Sequence, residues 1–136
     1  MEMPAPDARV LSRKDYIVER LCAVLPKDAV ISDISETRAY ECDALTAYKC
    51  PPLCAVLPAN TQEVAAVLKI CHELDVPVVP RGSGTSLAGG ALPTADSVIL
   101  GVAKMNQVIA PNFDDIYIRV QTGRTNLSVT RAVKAN

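Results

Sequence analysis

Pro80-Arg81-Gly82-Ser83-Gly84-Thr85-Ser86-Leu87-Ala88-Gly89-Gly90 is the stretch on which the reading of this chain turns. Four of the six glycines fall in it, interleaved with three hydroxyl side chains. It follows Val76-Pro77-Val78-Val79, an apolar run with the character of a short buried strand. Glycine admits positive φ and lets a ligand approach the main chain without a Cβ in the way. Successive amides can then converge on one anion, and the hydroxyls of Ser83, Thr85 and Ser86 add donors. The predicted ligand is a phosphate ester, a nucleotide or dinucleotide. A Gly/Ser linker would share this composition, but strand-like segments bound the loop on both sides, which suits a site.

Spacing excludes the two commonest nucleotide loops. A Walker A loop needs Lys and then Ser or Thr after its second glycine. Gly84 and Gly89 are suitably spaced, but Gly90 and Ala91 follow. A dinucleotide fingerprint of the Rossmann type needs Gly-x-Gly-x-x-Gly opening a helix. Gly82 and Gly84 fit it, yet Leu87 takes the third glycine position, and Gly89-Gly90-Ala91-Leu92-Pro93 is poor material for a helix start.

The run from Val76 to Pro93 resembles the pyrophosphate-binding loop of the vanillyl-alcohol oxidase (PCMH-type) FAD-binding domain, above all that of the glycolate oxidase FAD subunit and the FAD-linked D-lactate dehydrogenases. Two more segments of that pattern occur in order, Tyr40-Glu41-Cys42-Asp43 with Leu45, and Arg119-Val120-Gln121 with Gly123 and Asn126-Leu127. The resemblance implies non-covalent FAD, since the loop holds no histidine for attachment. It implies cofactor binding by Arg81, Gly82, Ser83, Gly84, Thr85, Ser86, Gly89 and Gly90, with Arg81 either on the pyrophosphate or packed under the loop as a brace. In the intact enzyme it implies hydride transfer from the α-carbon of a small 2-hydroxy acid, glycolate or D-lactate, to the flavin. Catalytic residues lie in parts of the family pattern beyond Asn136 and are unassigned.

At 136 residues and a formal net charge of −1, the chain is long enough for a core and has no electrostatic footprint for nucleic acid. One Phe, four Tyr and no Trp also argue against base-stacking platforms. The segment from Met1 to Lys14 has no apolar stretch of the signal-peptide kind, so the expectation is a cytoplasmic protein without a transmembrane segment and with five reduced cysteines. Cys50 and Cys54 would make only half of a metal site, and none is assigned.

Ser12 is read as the N-cap of a first helix carrying Ile17, Leu21, Val24 and Leu25. Ala29-Val30-Ile31 and Cys54-Ala55-Val56-Leu57 read as strands. A helix capped by Asn60 or Thr61 follows, with Val64, Val67, Leu68, Cys71 and Leu74 as its apolar stripe. With the Val76–Val79 strand it makes a βαβ unit, and the glycine loop leaves the carboxyl end of the second strand, where α/β units place ligands. His72, in the last turn of that helix, reads as a surface residue. Ser97–Val102 is a further strand. Gln107–Ala110 and Ile116–Thr122 are expected to pair antiparallel across a reversal at Pro111–Asp115, with Ile116, Ile118 and Val120 on the buried face. Thr125 or Asn126 caps a last helix.

The expected fold is α+β, the N-terminal part of a PCMH-type domain with a βαβ unit followed by antiparallel strands. Residues 1–35 are its helical lead-in and residues 36–136 the incomplete FAD-binding part, with the substrate (cap) domain absent. The expected function is the FAD-binding portion of a flavin-dependent 2-hydroxyacid oxidoreductase, inactive by itself and prone to self-association or to binding partner subunits through an uncovered face. The competing reading is a stand-alone, non-catalytic nucleotide-binding or interaction module.

Overall fold

The computed structural model describes residues 3–134. Two short helices open the chain, α1 (Ala8–Leu11) and α2 (Lys14–Cys22). Asp7, not Ser12, is the first cap, because its carboxylate accepts the Arg9 amide at 2.8 Å. Ser12 instead closes α1, its amide donating to the Ala8 carbonyl and its hydroxyl to that of Arg9. α2 starts at Lys14 with no side-chain cap and buries Ile17 and Leu21.

The main sheet contains β1 (Val30–Ile31), β2 (Cys54–Val56), β3 (Val78–Arg81) and β4 (Val98–Gly101), in the spatial order β1-β2-β4-β3. β1 is antiparallel to β2, whereas β2 and β3 both run parallel to β4. The βαβ unit is therefore present in split form, with β4 inserted between its two strands. Insertion explains the composition: β2 and β4 have neighbours on both edges and every residue in them is buried, so they read as unbroken apolar runs. β3 lies at the edge of this sheet, which is where Pro80 costs no ladder bond.

Between β2 and β3 runs α4 (Thr61–Glu73); a short helical turn, α3 (Ile34–Thr37), precedes β2. The Asn60 side chain accepts the Glu63 amide at 2.9 Å, and Glu63 reaches back to the Ala59 amide at 2.8 Å, so two orphan donors at this helix start are satisfied reciprocally. Val67, Ile70 and Cys71 form its buried face. Leu68, expected in that stripe, is 45% exposed. It sits one helical step from Val67, and the face that meets the sheet follows the spacing of 67, 70, 71 and 74. α4 ends with Asp75 at φ 53°, the Val76 amide bonding back to the Cys71 carbonyl, a left-handed cap that uses Asp where Gly is usual.

The core joins Ile17, Leu21 and Leu25 to Val56, Val67, Val98 and Leu100, so the N-terminal helices pack on the same side-chain cluster as the sheet. Burial pushes the Cys54 thiol up to about 12 and the Cys71 thiol up to about 11, which makes both inert apolar fillers at neutral pH. Cys22 is exposed and Cys42 and Cys50 are half-buried; all five thiols are free. His72 is exposed, as expected of a helix end.

A separate two-stranded antiparallel sheet is formed by β5 (Val108–Asn112) and β6 (Tyr117–Val120), with a bulge between Val108 and Ala110. Pro111 and Asn112 were expected in the reversal but lie in β5, opposite Ile118 and Tyr117. The turn is tightened by Asn112, whose side chain accepts the Asp115 amide at 2.9 Å. Ile116 falls outside the strand at φ 57° and is 91% exposed, so it is not part of a buried face. The described chain closes with α5 (Asn126–Val133), where Thr125 caps the Ser128 amide. Among the described residues no helix is long and apolar enough to cross a membrane.

Candidate cofactor site

The glycine loop begins where β3 ends, beside the carboxyl end of β4, because Arg81 pairs in register with Gly101. Its shape depends on two residues in the left-handed region, Gly84 at φ 71° and Gly89 at φ 77°. Gly82 has ordinary φ, and a Cβ built there would meet nothing within 4 Å, so its smallness is not needed by the fold. From Ser83 to Leu87 no backbone amide donates to a protein acceptor among the described residues. The Ser86 hydroxyl receives the Ala88 amide at 3.2 Å and stiffens the far limb. Such a row of unengaged N–H groups is what an extended anion such as a diphosphate requires.

Arg81 takes the bracing position. Its Nη1 donates to the Cys42 carbonyl at 2.7 Å and reaches toward that of Ala91 at 3.5 Å. The guanidinium lies 5.7 Å from the centre of the Tyr40 ring. It also packs under the loop, since a Cβ at Gly84 would come within 2.5 Å of its Cζ. One side chain thus ties the start of the loop to its exit and to the Tyr40–Leu45 segment. That explains why this upstream segment belongs to the same pattern as the loop: it forms the loop's back wall. Asp43 in this wall is 4% exposed, with one oxygen on the Leu45 amide and Oδ2 unpartnered.

Across from Gly82 and Ser83 stand Gly123, Arg124, Thr125 and Ser128, enclosing a cavity of about 470 Å³. A second, mostly apolar hollow of about 430 Å³ continues past Gly82 toward Val64, Val102 and Met105. A compartment of mixed lining and an apolar one that meet at a glycine loop suit a ligand with a phosphate part and a flat apolar part. Gly123 brings the far wall close: its amide donates to the Met105 carbonyl at 2.8 Å, and any Cβ would strike the Val102 carbonyl. Sequence reasoning singled out Gly123 only as part of a pattern and Thr125 only as a cap. The signal that could have found this wall is a strand followed by Thr-Gly-Arg-Thr and a helix, since the first amides of a helix attract anions. Among the described residues no group of three or more His, Cys, Asp or Glu is placed to hold a metal ion.

An α+β fold with a glycine cradle at the carboxyl ends of parallel strands, opening on a cleft with a mixed and an apolar compartment, suits a nucleotide-cofactor domain. Residues 52–136 match the family described as FAD binding domain, and the chain belongs to that family. It is 42% identical over 109 residues to the glycolate oxidase subunit GlcD of Escherichia coli K12, a match covering 80% of this chain and 22% of the relative. It is 32% identical over 109 residues to a D-lactate dehydrogenase of Anaerostipes hadrus, covering 79% of this chain and 22% of that one. Among solved structures it superposes on 4-ethylphenol oxidase from Gulosibacter chungangensis with TM-score 0.82 and 21% identity, covering 97% of this chain and 26% of that one. It superposes on p-cresol methylhydroxylase with TM-score 0.78 and 22% identity, covering 96% and 26%. The fold is thus the PCMH-type α+β one that the sequence predicted, and FAD is the cofactor of the family. The chain spans 22% of the length of these two curated relatives.

Proposed function

We propose that this chain is the pyrophosphate-holding part of a flavin-dependent 2-hydroxyacid oxidoreductase, acting in the intact protein on a small 2-hydroxy acid such as glycolate or D-lactate. The observation that carries this reading is the row of unengaged amides from Ser83 to Leu87, held open by Gly84 and Gly89 at the carboxyl end of β3. Ser83, Gly84, Thr85 and Ser86 would hold the diphosphate oxygens, Gly82, Gly89 and Gly90 would leave room for the approach, and Arg81 would fix the loop from behind. When bound, FAD supplies a two-electron acceptor. No histidine, cysteine or tyrosine lies in the loop itself, so the attachment we propose is non-covalent. A cytoplasmic location accords with five free thiols.

The test is a titration of the ¹⁵N-labelled chain with FAD, ADP and riboflavin. FAD and ADP are expected to shift the amides of residues 83–87, and riboflavin, a flavin without phosphate, to leave them in place. Binding is expected to be weak, because the described cavities are open clefts and a large cofactor needs most of its surface buried. Loop amides that ignore both phosphate compounds would remove the reading. A response to ADP as strong as that to FAD, with no effect on Val64 or Met105, would favour the plain nucleotide-binding module instead.

Ile109, Phe113, Ile116, Tyr117 and Leu127, on or beside β5, β6 and α5, are exposed, and Phe113, Ile116 and Tyr117 line one hollow. A two-stranded sheet of this kind is marginal without cover. The chain is therefore expected to self-associate in a concentration-dependent way, and Ile116→Asn, which tolerates the left-handed backbone while removing apolar area, should weaken the association. Sedimentation velocity reporting a monomer at every concentration would refute this.

A further inference from the structure

Arg81 is one candidate for the cation facing a diphosphate, but its Nη1 is turned to the Cys42 and Ala91 carbonyls and its guanidinium lies beside the Tyr40 ring. The cavity on the open side of the loop has another. Arg124 is the one charged side chain lining it among the described residues, and no carboxylate lines it. Its Nη1 donates to the Asn106 carbonyl at 3.1 Å, which pins the guanidinium in place. Among the described residues neither its Nε, which is sealed from solvent, nor its Nη2 has an acceptor. With Nη1 held and Nε sealed away, Nη2 is the donor left to meet an oxyanion in the cavity. Gly82 and Ser83 lie across the cavity with their amides unengaged, and Thr125 and Ser128 place hydroxyls beside it.

We propose that Arg124 is the cation that binds the diphosphate of the cofactor, from the wall opposite the glycine loop, while Arg81 only positions the loop. The inference rests on the proposed role of the loop and adds the second jaw of the clamp. It also explains how the cavity is divided: amides grip the anion from one side and a guanidinium neutralises it from the other, with no carboxylate in the lining to compete. Arg124 falls on an open position of the family pattern, between Gly123 and Asn126, so its charge is a property of this chain's own sequence.

The test uses the whole chain and the dissociation constants of inorganic pyrophosphate and ADP, read from ¹H–¹⁵N spectra at several concentrations of potassium chloride. Pyrophosphate is expected to shift the Arg124 side-chain Nε–H signal together with the amides of residues 83–87. Arg124→Gln should weaken both ligands by about tenfold or more, the usual scale for one charge-assisted hydrogen bond, and flatten the salt dependence, with unchanged melting temperature. Arg124→Lys, which keeps the charge without the guanidinium, should recover part of the loss and serves if the Gln variant folds poorly. Arg81→Gln should do the reverse, lowering the melting temperature and broadening the loop signals while the salt dependence stays. An Arg124→Gln protein that binds pyrophosphate with wild-type affinity and salt dependence overturns this proposal and leaves the loop assignment standing. A wild-type protein whose loop ignores pyrophosphate, ADP and FAD overturns both.

Discussion

Gly84→Val is expected to abolish FAD and ADP binding outright. Two effects act together. The residue sits at φ 71°, where an L-residue pays roughly 1–2 kcal/mol and a β-branched one is a genuine outlier. Its Cβ would also fall within 2.5 Å of the Arg81 Cζ, so the brace must leave the Cys42 carbonyl to make room. The loop then loses both its curvature and its anchor, and the amides of residues 83–87 no longer point to one place. Gly82→Val is the informative partner. Its backbone is ordinary and a Cβ there touches nothing, so the fold should survive, while the side chain enters both cavities. Flavin retention and thermal unfolding, measured on both variants, separate the two mechanisms. Full cofactor binding by Gly84→Val would remove this loop from the diphosphate.

The second large effect is expected at Gly123, where even alanine should be severe. A single methyl group there would overlap the Val102 carbonyl and come within 2.9 Å of that of Met105, and both obstacles are backbone. Neither can swing aside as a side chain would. The Gly123 amide bond to Met105 would be lost, and with it the join that holds the β5–β6 hairpin and α5 against the end of β4. A loss of about 2–4 kcal/mol is the scale for forced overpacking with a lost buried hydrogen bond. Gly90→Ala is the control, since its Cβ finds only the Ser86 hydroxyl, at 3.6 Å, and its φ is ordinary. Chemical denaturation should show Gly123→Ala strongly destabilised and Gly90→Ala near wild type. Equal stability of the two would mean that the far wall is not built by this contact.

The prediction at Gly123 reaches beyond stability, because Arg124, Thr125 and Ser128 follow directly. A shift of the Gly123 backbone away from Met105 carries the whole wall away from the loop. Positions that belong to fold and site at once are expected where a cleft is closed by backbone passing close to backbone.

Local chemistry made much of this legible in the sequence. Clustered glycines and hydroxyls announced the cradle, Asn60 with Glu63 announced the start of α4, and the unbroken apolar runs at Cys54–Val56 and Val98–Gly101 announced strands buried on both faces. These features are local, a matter of what one residue permits its own backbone or its near neighbours to do. The tertiary structure alone decided the rest. Strand order is one case: Pro80 and Arg81 suit β3 to an edge, but nothing in the apolar runs says that β4 enters between β2 and β3. The contacts of Arg81 are another, since its chemistry suits a phosphate and a carbonyl alike, and only the tertiary structure sets its Nη1 on the Cys42 carbonyl and its guanidinium beside the Tyr40 ring. Arg124 is the converse, an unremarked side chain at sequence level that becomes a candidate cation because the fold sets it across a cavity from Gly82 and Ser83. A residue's chemistry is written in its identity, but which of its possible partners it meets depends on contacts between segments dozens of residues apart.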